Sequence, residues 1–504
     1  MMRRFVRTRR FGTRADVDET VLVVPGKTLI GGEWVGAQKR AVFPVFDPAT
    51  GDVVGSAPDM GAAETEIAID AASSALESWR RTSPRDRSRR LRQWHDSIVE
   101  RREELARLMT LECGKPLAEA RGEVDYGASF VEWFAEEGPR CVGSVDASCS
   151  DRRMLTTRQA VGCAGLITPW NFPLGMITRK AGAALAAGCT VVVKPAEDTP
   201  LTALALAKLA EGALPPGALN VVTAARANAP AVGEVLCASP VVRALSFTGS
   251  TEVGKRLYAQ CAGTVKKLGL ELGGNAPFVV LDDADLDLAV ECAMASKFRY
   301  SGQTCVCADR FLVHDAVFDD FEDRLLRAIR KLEIGRGLDD GVTLGPLINQ
   351  RAADRVRSLI PDDAAVFDKH AAAARALGPT FVAPALVRVD LDLDHPPPCW
   401  DNENFGPVVP LARFRGDDDA VIEIANRHAT GLAAYVVAGD LRRAWRIAER
   451  LETGMCGVNQ GIISTATMPF GGVKESGIGR EGGIGFGISE YLEDKYLCFG
   501  NLHF

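Results

Sequence analysis

The most constraining feature of this sequence is a regular alternation of strand-like and helix-like segments between residues 162 and 247. Residues 162–167 form an unbroken apolar run of strand length, which is typical of a parallel sheet covered on both faces. The segments that follow alternate in kind: helix 178–187, strand 190–193, helix 201–211, strand 219–223, helix 230–238 and strand 244–247. This pattern predicts a doubly wound α/β domain, whose ligands bind at the carboxyl ends of the strands.

The flanking sequence contains further recognisable elements. Residues 29–34 and 43–48 read as short strands, and apolar residues spaced by threes and fours predict helices over 62–79, 88–113 and 117–137. Residues 140–160 mix small, polar and basic side chains around a turn at 148–151, which predicts a projecting β-hairpin. Because the edges of such a hairpin are best covered by another subunit, we expect a homodimer or a homotetramer.

Composition narrows the class of protein. A chain of 504 residues should form two or three domains, and its net charge of -7 argues against a nucleic-acid surface. The longest apolar run, residues 181–193, is shorter than the ~20 residues that span a bilayer. Thirteen cysteines without a repeated spacing indicate a reducing compartment rather than a disulfide framework. We therefore expect a small-molecule enzyme with no membrane, nucleic-acid or metal site.

The first fourteen residues contain six arginines and no acidic residue. This composition fits a mitochondrial transit peptide or a disordered leader, but the serine enrichment of transit peptides is missing. We expect a cytoplasmic protein, with the mitochondrial matrix as the alternative.

A cysteine motif supplies the candidate chemistry. Cys305 follows a tight Gly302-Gln303 turn, and Glu271 lies thirty-four residues earlier at the start of a Glu-Leu-Gly-Gly segment. A thiol and a carboxylate can act as nucleophile and general base in acyl chemistry. None of the six histidines lies in the motifs, which disfavours a Cys-His hydrolase.

Several polar residues fall at the predicted carboxyl ends of strands: Asn171, Lys194, Glu197 and Thr248-Gly249-Ser250. The segment 249–255 is not a P-loop, because Arg256 replaces the hydroxyl residue needed for Mg²⁺. A helix that begins near Ser250 would nevertheless offer backbone N–H groups to a pyrophosphate.

These motifs together resemble the aldehyde dehydrogenase superfamily over about residues 29–500. The shared motifs are Thr168-Pro-Trp-Asn-Phe-Pro173, Lys194-Pro-Ala-Glu197, Phe247-Thr-Gly-Ser-Thr-Glu-Val-Gly254, Glu271-Leu-Gly-Gly274, Gly302-Gln-Thr-Cys305, Phe405-Gly-Pro407 and Pro469-Phe-Gly-Gly472. Within the superfamily the chain is most similar to succinate-semialdehyde dehydrogenases, through Ser129-Phe-Val-Glu-Trp-Phe-Ala-Glu-Glu137, Thr178-Arg-Lys180, Ser296-Lys-Phe-Arg299 and Cys305-Val-Cys307. Residues 361–404 depart from the family pattern, and Asn402 stands where an acid usually precedes Glu403.

The resemblance implies a role for each catalytic residue. Cys305 attacks the aldehyde as a thiolate, activated by local N–H dipoles and a desolvated pocket. The thiohemiacetal oxyanion is held by the Asn171 amide and the Cys305 backbone N–H. After hydride transfer to the nicotinamide, Glu271 activates the water that hydrolyses the thioester.

The resemblance also implies a nicotinamide site. Its residues would be Trp170, Lys194, Glu197, Gly249, Ser250, Glu403 and Phe405. Trp170 could equally pack in the core, and Asn402 leaves the role of Glu403 open. Because Glu197 would repel a 2′-phosphate, we expect NAD to be preferred over NADP.

Two arginines suggest an anionic substrate. Arg179 and Arg299 match the pair that clamps the substrate carboxylate in succinate-semialdehyde dehydrogenases, and Ser464 matches a hydroxyl that assists them. Either arginine could instead be structural, bonded to a nearby acid or carbonyl. Cys307, two residues from the nucleophile, could form a reducible disulfide with it or could simply pack below the site.

The predicted function is the NAD(P)-dependent oxidation of succinate semialdehyde to succinate. Alternatives are glutarate semialdehyde, a phosphonate-bearing aldehyde or a broad range of aliphatic aldehydes. Two other classes of protein stay open. A non-catalytic, binding-only relative would not reduce the nicotinamide cofactor with any aldehyde, and a thioesterase-like hydrolase would turn over its substrate without a cofactor.

The predicted fold is α/β, aldehyde dehydrogenase-like, in three parts. Residues 1–139 and 161–270 form a cofactor domain, and residues 271–470 form a catalytic domain, each doubly wound. Residues 140–160 and 471–504 form a β oligomerisation element and the C-terminal return.

Overall fold

The computed structural model describes residues 22–391 and 396–502. The arginine-rich leader, residues 1–14, lies outside the described residues, as does the part of the unusual 361–404 segment between 391 and 396. No helix in the described ranges is long and apolar enough to cross a membrane.

The strands of the described residues are two to eight residues long and are numbered in chain order. They are β1 (Thr28–Ile30), β2 (Glu33–Val35), β3 (Val42–Phe46), β4 (Val53–Pro58), β5 (Val145–Asp146), β6 (Arg153–Ala160), β7 (Cys163–Ile167), β8 (Thr190–Lys194), β9 (Leu219–Val221), β10 (Val242–Thr248), β11 (Lys267–Glu271), β12 (Ala276–Val280), β13 (Ala308–His314), β14 (Ala365–Val366), β15 (Ala385–Val389), β16 (Val408–Phe414), β17 (Thr430–Gly431), β18 (Ala433–Val437), β19 (Met455–Val458), β20 (Val473–Lys474), β21 (Gly477–Ile478) and β22 (Leu492–Phe499).

The α-helices are numbered in the same way. They are α1 (Ala62–Arg81), α2 (Pro84–Glu100), α3 (Arg102–Cys113), α4 (Leu117–Glu137), α5 (Gly175–Ala187), α6 (Pro200–Ala210), α7 (Ala229–Ala238), α8 (Thr251–Cys261), α9 (Leu286–Lys297), α10 (Phe318–Ile329), α11 (Gln350–Ser358), α12 (Asp368–Leu377), α13 (Pro398–Asp401), α14 (Asp418–Asn426) and α15 (Leu441–Arg450).

The first large sheet has the strand order β21-β11-β10-β7-β8-β9. All of its pairings are parallel except that of β21 with β11. Strands β7, β8 and β9 are buried along their whole length, because helices cover both faces of the sheet. Each predicted element of residues 162–247 is present, and its ends differ from the prediction by only a few residues.

The second large sheet has the order β14-β15-β16-β13-β12-β18-β19, and only β14 runs antiparallel to its neighbour. Its central strand β12 is buried at every position. Two parallel sheets covered by helices confirm the predicted α/β class with two doubly wound units.

A third sheet joins the predicted hairpin to the end of the chain. Its order is β22-β6-β5, and β22 pairs antiparallel with all eight residues of β6. The hairpin is therefore present, but its first strand, β5, is only two residues long.

The single helix predicted over residues 88–113 is wrong. The structure has two helices, α2 and α3, which meet at Arg101 with φ -99° and ψ 22°. Leu91, Trp94 and Ile98 form the buried stripe of α2, and Arg101 falls where that stripe would continue. The break lets the Arg101 guanidinium turn outward to Glu104, at 2.6 Å, instead of entering the core.

Candidate active site

The loop that presents Cys305 is held in an uncommon backbone conformation. Between α9 and β13, three consecutive residues are left-handed: Tyr300 (φ 50°), Ser301 (φ 54°) and Gly302 (φ 78°). A non-glycine residue costs about 1–2 kcal/mol in this region, so the surroundings must hold the loop in place.

Hydrogen bonds from other segments supply that support. The Tyr300 backbone N–H donates to a carboxylate oxygen of Glu119 at 2.8 Å, and the Tyr300 hydroxyl donates to the Cys113 carbonyl at 2.6 Å. The Ser301 hydroxyl donates to the Gly345 carbonyl at 2.8 Å. The loop is therefore fixed by α3, by α4 and by the connection between α10 and α11 before it reaches Cys305.

Cys305 lines a cavity of about 270 Å³. The same cavity is lined by Arg179, Arg299, Tyr126 and Ser464, so the structure brings the predicted nucleophile and the three predicted substrate residues together. Burial raises the pKa of Cys305 to about 12, while Arg179 acts in the opposite direction. The sequence predicts that N–H dipoles and a desolvated pocket activate the thiol. Desolvation instead disfavours the charged thiolate, so here it keeps Cys305 in the thiol form.

Asn171 lies just after β7 and is 3% exposed. Its amide nitrogen donates to the Gln303 carbonyl at 3.0 Å, two residues before Cys305. Its amide oxygen is buried without a partner among the described residues. One of the two amide N–H groups remains for a further acceptor beside the nucleophile loop.

Glu271 ends β11 and is 3% exposed. Its side chain is not part of the Cys305 cavity but lines a smaller one with Arg179, Arg480 and Glu481. Burial, and then the charge of Glu481, raises the pKa of Glu271 well above 4.5, although Arg179 and Lys180 oppose them. Arg179 lines both cavities and therefore lies between the predicted base and the predicted nucleophile.

Glu481 pairs with two buried cations of α5. Arg179 and Lys180, 1% and 0% exposed, both form ion pairs with it. Burial alone would raise the pKa of Glu481, but Arg179 and Lys180 outweigh burial and lower it. The ion pair uses Nε of Arg179. Within the described residues, the hydrogen bonds of the two terminal nitrogens go to the Tyr126 hydroxyl at 3.5 Å and the Met176 sulfur at 3.0 Å.

Arg299 differs from Arg179 in lacking an acidic partner within the described residues. Its guanidinium lies 5.3 Å from the centre of the Phe172 ring, and its Nε is buried without a hydrogen bond. A half-buried guanidinium with unused donors is suited to an anionic ligand.

The carboxyl edge of the first sheet holds the predicted cofactor residues. Lys194 ends β8, and its ammonium donates to the Pro195 carbonyl at 3.0 Å, with a Glu197 carboxylate oxygen 3.8 Å away. Since an ammonium has three donors, Lys194 can still bind hydroxyl groups. The other Glu197 oxygen lies 4.0 Å from the exposed Arg226 guanidinium, which partly offsets the negative charge.

The same edge leaves buried polar atoms unsatisfied. The hydroxyls of Thr168, after β7, and Thr248, at the end of β10, have no partner in the described structure. Ser250 caps α8, as predicted, and accepts from the Val253 N–H at 3.4 Å. The Gly249 N–H donates to the Glu271 carbonyl at 3.0 Å and is not free for an anion. This polar edge fits a dinucleotide.

Glu403 and Phe405 lie on the opposite side of that edge. A Glu403 carboxylate oxygen accepts from the Gly274 N–H at 3.1 Å, and burial raises the pKa of Glu403 to about 7. Asn402 is exposed and its amide donates to the Pro398 carbonyl, so it does not disturb Glu403. Phe405 meets Trp170 edge-on, with ring centres 5.5 Å apart.

Cys307 is buried and lies outside the lining of the Cys305 cavity. Its sulfur contacts the Thr304 hydroxyl at 2.8 Å and the Gly302 carbonyl at 3.3 Å. Burial raises the pKa of Cys307, although the Thr304 hydroxyl acts in the opposite direction, and the two contacts hold the side chain under the loop.

Sequence reasoning missed four polar residues at the site: Lys115, Glu123, Tyr126 and Glu481. The first three lie on or beside α4 and line the cavity, and Glu481 comes from the C-terminal return. Glu123 could have been found only as a charged residue on an otherwise apolar stripe of α4. Nothing in the sequence around Glu481 indicates that it belongs to the site.

Comparison with known proteins identifies the family of this chain. The aldehyde dehydrogenase family model matches residues 34–497. A succinate-semialdehyde dehydrogenase [NADP(+)] of Escherichia coli is 51% identical over 481 residues, 94% of this chain and 98% of that protein. A glutarate-semialdehyde dehydrogenase of Pseudomonas aeruginosa is 50% identical over 477 residues, 94% and 97% of the two chains. The crystal structure of succinate-semialdehyde dehydrogenase from Burkholderia pseudomallei superposes with a TM-score of 0.90 at 48% identity, covering 96% of this chain and 99% of that one.

These matches confirm the predicted resemblance to succinate-semialdehyde dehydrogenases. They also confirm the oxidoreductase activity on an aldehyde and the use of NAD or NADP. This chain is therefore a member of the aldehyde dehydrogenase family.

Proposed function

We propose that this enzyme oxidises succinate semialdehyde to succinate, with NAD preferred over NADP. The observation that carries the proposal is the cavity in which Cys305 is accompanied by the guanidinium groups of Arg179 and Arg299. A neutral aldehyde would leave Arg299 without an anionic partner, and Arg179 and Lys180 would share the single negative charge of Glu481, which is costly in a desolvated site.

The two arginines are prepared differently for a carboxylate. Arg179 is oriented by its ion pair with Glu481 through Nε, which leaves its terminal nitrogens with weak partners. Arg299 stacks on Phe172 and has no acidic partner in the described structure. Ser464 adds a hydroxyl to the same lining. Together they can bind a terminal carboxylate while the aldehyde group faces Cys305.

In acylation, the Cys305 thiol gives its proton to water, and the thiolate attacks the aldehyde carbon. The resulting oxyanion is stabilised by the free Asn171 amide N–H and by the Cys305 backbone N–H. The nicotinamide, when bound, accepts the hydride that leaves this carbon. Cys305 then carries the substrate as a thioester.

In deacylation, Glu271 must act as a base. Its carboxyl group takes a proton from water, the resulting hydroxide attacks the thioester carbon, and the Cys305 sulfur leaves as thiolate. The raised pKa makes the Glu271 carboxylate a stronger base than an exposed glutamate, and Glu271 acts from the cavity that it shares with Glu481.

The chain's own residues would hold the cofactor along the first sheet. Lys194, at the end of β8, and Glu197, just after it, would bind ribose hydroxyls, and the start of α8 at Ser250 would bind the pyrophosphate. Glu403, Trp170 and Phe405 would border the nicotinamide half. The Gly249 N–H is already bonded to the Glu271 carbonyl, so Gly249 would contribute only by its lack of a side chain, which lets the cofactor come close to the backbone.

Substrate charge is tested with a matched panel of aldehydes. Succinate semialdehyde should be oxidised at least about 100-fold more efficiently than butanal, because the neutral analogue offers no carboxylate to the Arg299 guanidinium or to the terminal nitrogens of Arg179. Arg299→Ala should lose most of this preference, with butanal oxidation near the parent rate. Arg330→Ala is the control, since Arg330 also lies over a phenylalanine, 5.4 Å from the Phe367 ring, but outside the cavity. A parent that prefers butanal would refute the proposal.

Glutarate semialdehyde is the second candidate, because a relative that is 50% identical carries that name. The same panel extended by one methylene, and by a phosphonate-bearing aldehyde, ranks the anionic substrates by kcat/KM. A preference for the five-carbon substrate would replace the four-carbon proposal while keeping the anionic class.

The role of Glu271 has its own test. Glu271→Gln should release one equivalent of reduced cofactor per subunit in a burst and then stall, because acylation proceeds and hydrolysis does not. Steady turnover at the parent rate would contradict this role.

We also propose a cytoplasmic homodimer or homotetramer, divided into domains as the sequence predicts. The exposed edge strand β22 carries Tyr496 and Phe499, 60% and 53% exposed, which supports association through the third sheet. Light scattering that shows a monomer at micromolar concentration would contradict the assembly.

A further inference from the structure

Lys115 is a buried cation that the catalytic scheme above does not use. It lies in the short connection between α3 and α4, and its side chain and that of its partner Glu123 are each 1% exposed. A buried ion pair is weak evidence for stability, so its placement invites another explanation.

The ammonium of Lys115 contacts both halves of the active site. It pairs with Glu123 and donates to the backbone carbonyl of Asn171 at 2.9 Å. It also lies 4.4 Å from the centre of the Phe172 ring and 4.3 Å from that of Tyr300. One charge thus joins the segment after β7, which carries the oxyanion donor, to the left-handed loop before Cys305.

Glu123 continues the same connection. One of its carboxylate oxygens accepts from the Leu174 and Gly175 N–H groups, at 3.0 and 3.3 Å, where α5 begins. This helix carries Arg179, so the pair reaches the substrate arginine as well. Residues 171–175 are therefore hydrogen-bonded at one end to Lys115 and at the other end to Glu123.

We propose that Lys115 is a positioning residue, which sets the place of the Asn171 amide relative to Cys305. This inference rests on the proposed role of Asn171 in binding the oxyanion. Lys115 touches neither the reacting carbon nor the thiol, and it acts through the Asn171 backbone and the Tyr300 ring. Its replacement should lower kcat and leave the KM for aldehyde and for cofactor nearly unchanged.

The test is a double-mutant cycle in the full-length enzyme. Lys115→Met should reduce kcat by about 100-fold, since a misplacement of about 1 Å has an effect of that size. In an Asn171→Ala background the same substitution should change kcat by less than about threefold, because the group it positions is already gone. If Lys115→Met lowers kcat by the same factor in the two backgrounds, the proposal is overturned. If Lys115→Met is inactive while Asn171→Ala is fully active, the proposed oxyanion role of Asn171 is refuted instead.

A second variant separates positioning from charge balance. Lys115→Met combined with Glu123→Gln leaves no uncompensated buried charge, so it should fold even if Lys115→Met alone does not. A kcat still reduced at least 10-fold, with a thermal midpoint close to that of the parent, supports positioning; a parent-like kcat overturns it. Lys266→Met is the matched control, because Lys266 is also a buried ammonium bonded to backbone carbonyls, those of Leu236 and Ser239, but touches no part of the site.

Discussion

Gly302 is the residue at which a single added methyl group should do most damage to the nucleophile loop. Its φ of +78° is unfavourable for any other residue, and a Cβ at this position would lie 2.2 Å from the Gly406 carbonyl oxygen. Gly341 provides the matched control, with a φ of +77° and no atom within 4 Å of the corresponding Cβ.

The two glycines separate backbone cost from steric cost. Gly341→Ala should lose about 1–2 kcal/mol from the left-handed conformation alone. Gly302→Ala should lose that amount and about 1–3 kcal/mol more, as is typical of overpacked interiors. In a domain of about 200 residues each kcal/mol corresponds to about 2–4 °C in the unfolding midpoint. The loop and the Gly406 segment must also separate by roughly 1 Å, which can reduce kcat by about 100-fold.

Thermal unfolding and steady-state kinetics on both variants check this prediction. Gly302→Ala should have the lower midpoint and a strongly reduced kcat, whereas Gly341→Ala should keep the parent kcat. If the two variants share one midpoint and Gly302→Ala keeps a kcat within twofold of the parent, the steric reasoning is wrong.

Three further predictions concern acidity, cofactor choice and oxidation. The charge of Glu481 raises the pKa of Glu271, so Glu481→Gln should lower the pKa of Glu271. The acid limb of the pH profile of kcat should then move to lower pH, and a move to higher pH would contradict the prediction. NAD should give a higher kcat/KM than NADP, and Glu197→Gln should narrow the difference; a parent that favours NADP would exclude this role for Glu197. Peroxide inactivation that reductant reverses in the parent but not in Cys307→Ala would support a Cys305–Cys307 disulfide, and identical behaviour would argue against it.

The sheet architecture could be predicted because its signal is local. Apolar runs such as residues 162–167 must be buried on both faces, and only a parallel sheet between helices buries them in that way. The motif residues Cys305, Asn171 and Lys194 could also be placed, because strand ends and glycine turns are visible in short stretches of sequence.

The parts that could not be predicted depend on contacts between distant residues. Tyr300 and Ser301 give no sign of a left-handed conformation, since neither residue type favours it and the supporting Glu119 comes from another helix. The raised pKa of Glu271 depends on its burial and on the charge of Glu481, a residue that meets it only in the folded chain. The break at Arg101 arises from a side chain that must leave the core, and a periodic pattern does not show it.

The ion pair between Lys180 and Glu481 joins residues 301 positions apart. During synthesis, all strands of the first sheet except β21 are made long before the acid that pairs with Arg179 and Lys180 of α5. A nascent chain that does not yet contain Glu481 would therefore bury these two residues without a counter-charge, at a cost of several kcal/mol. Most domains fold as units while translation continues, N-terminal first. Here we expect the native packing of α5 against the first sheet to form only after Glu481 has been added to the chain.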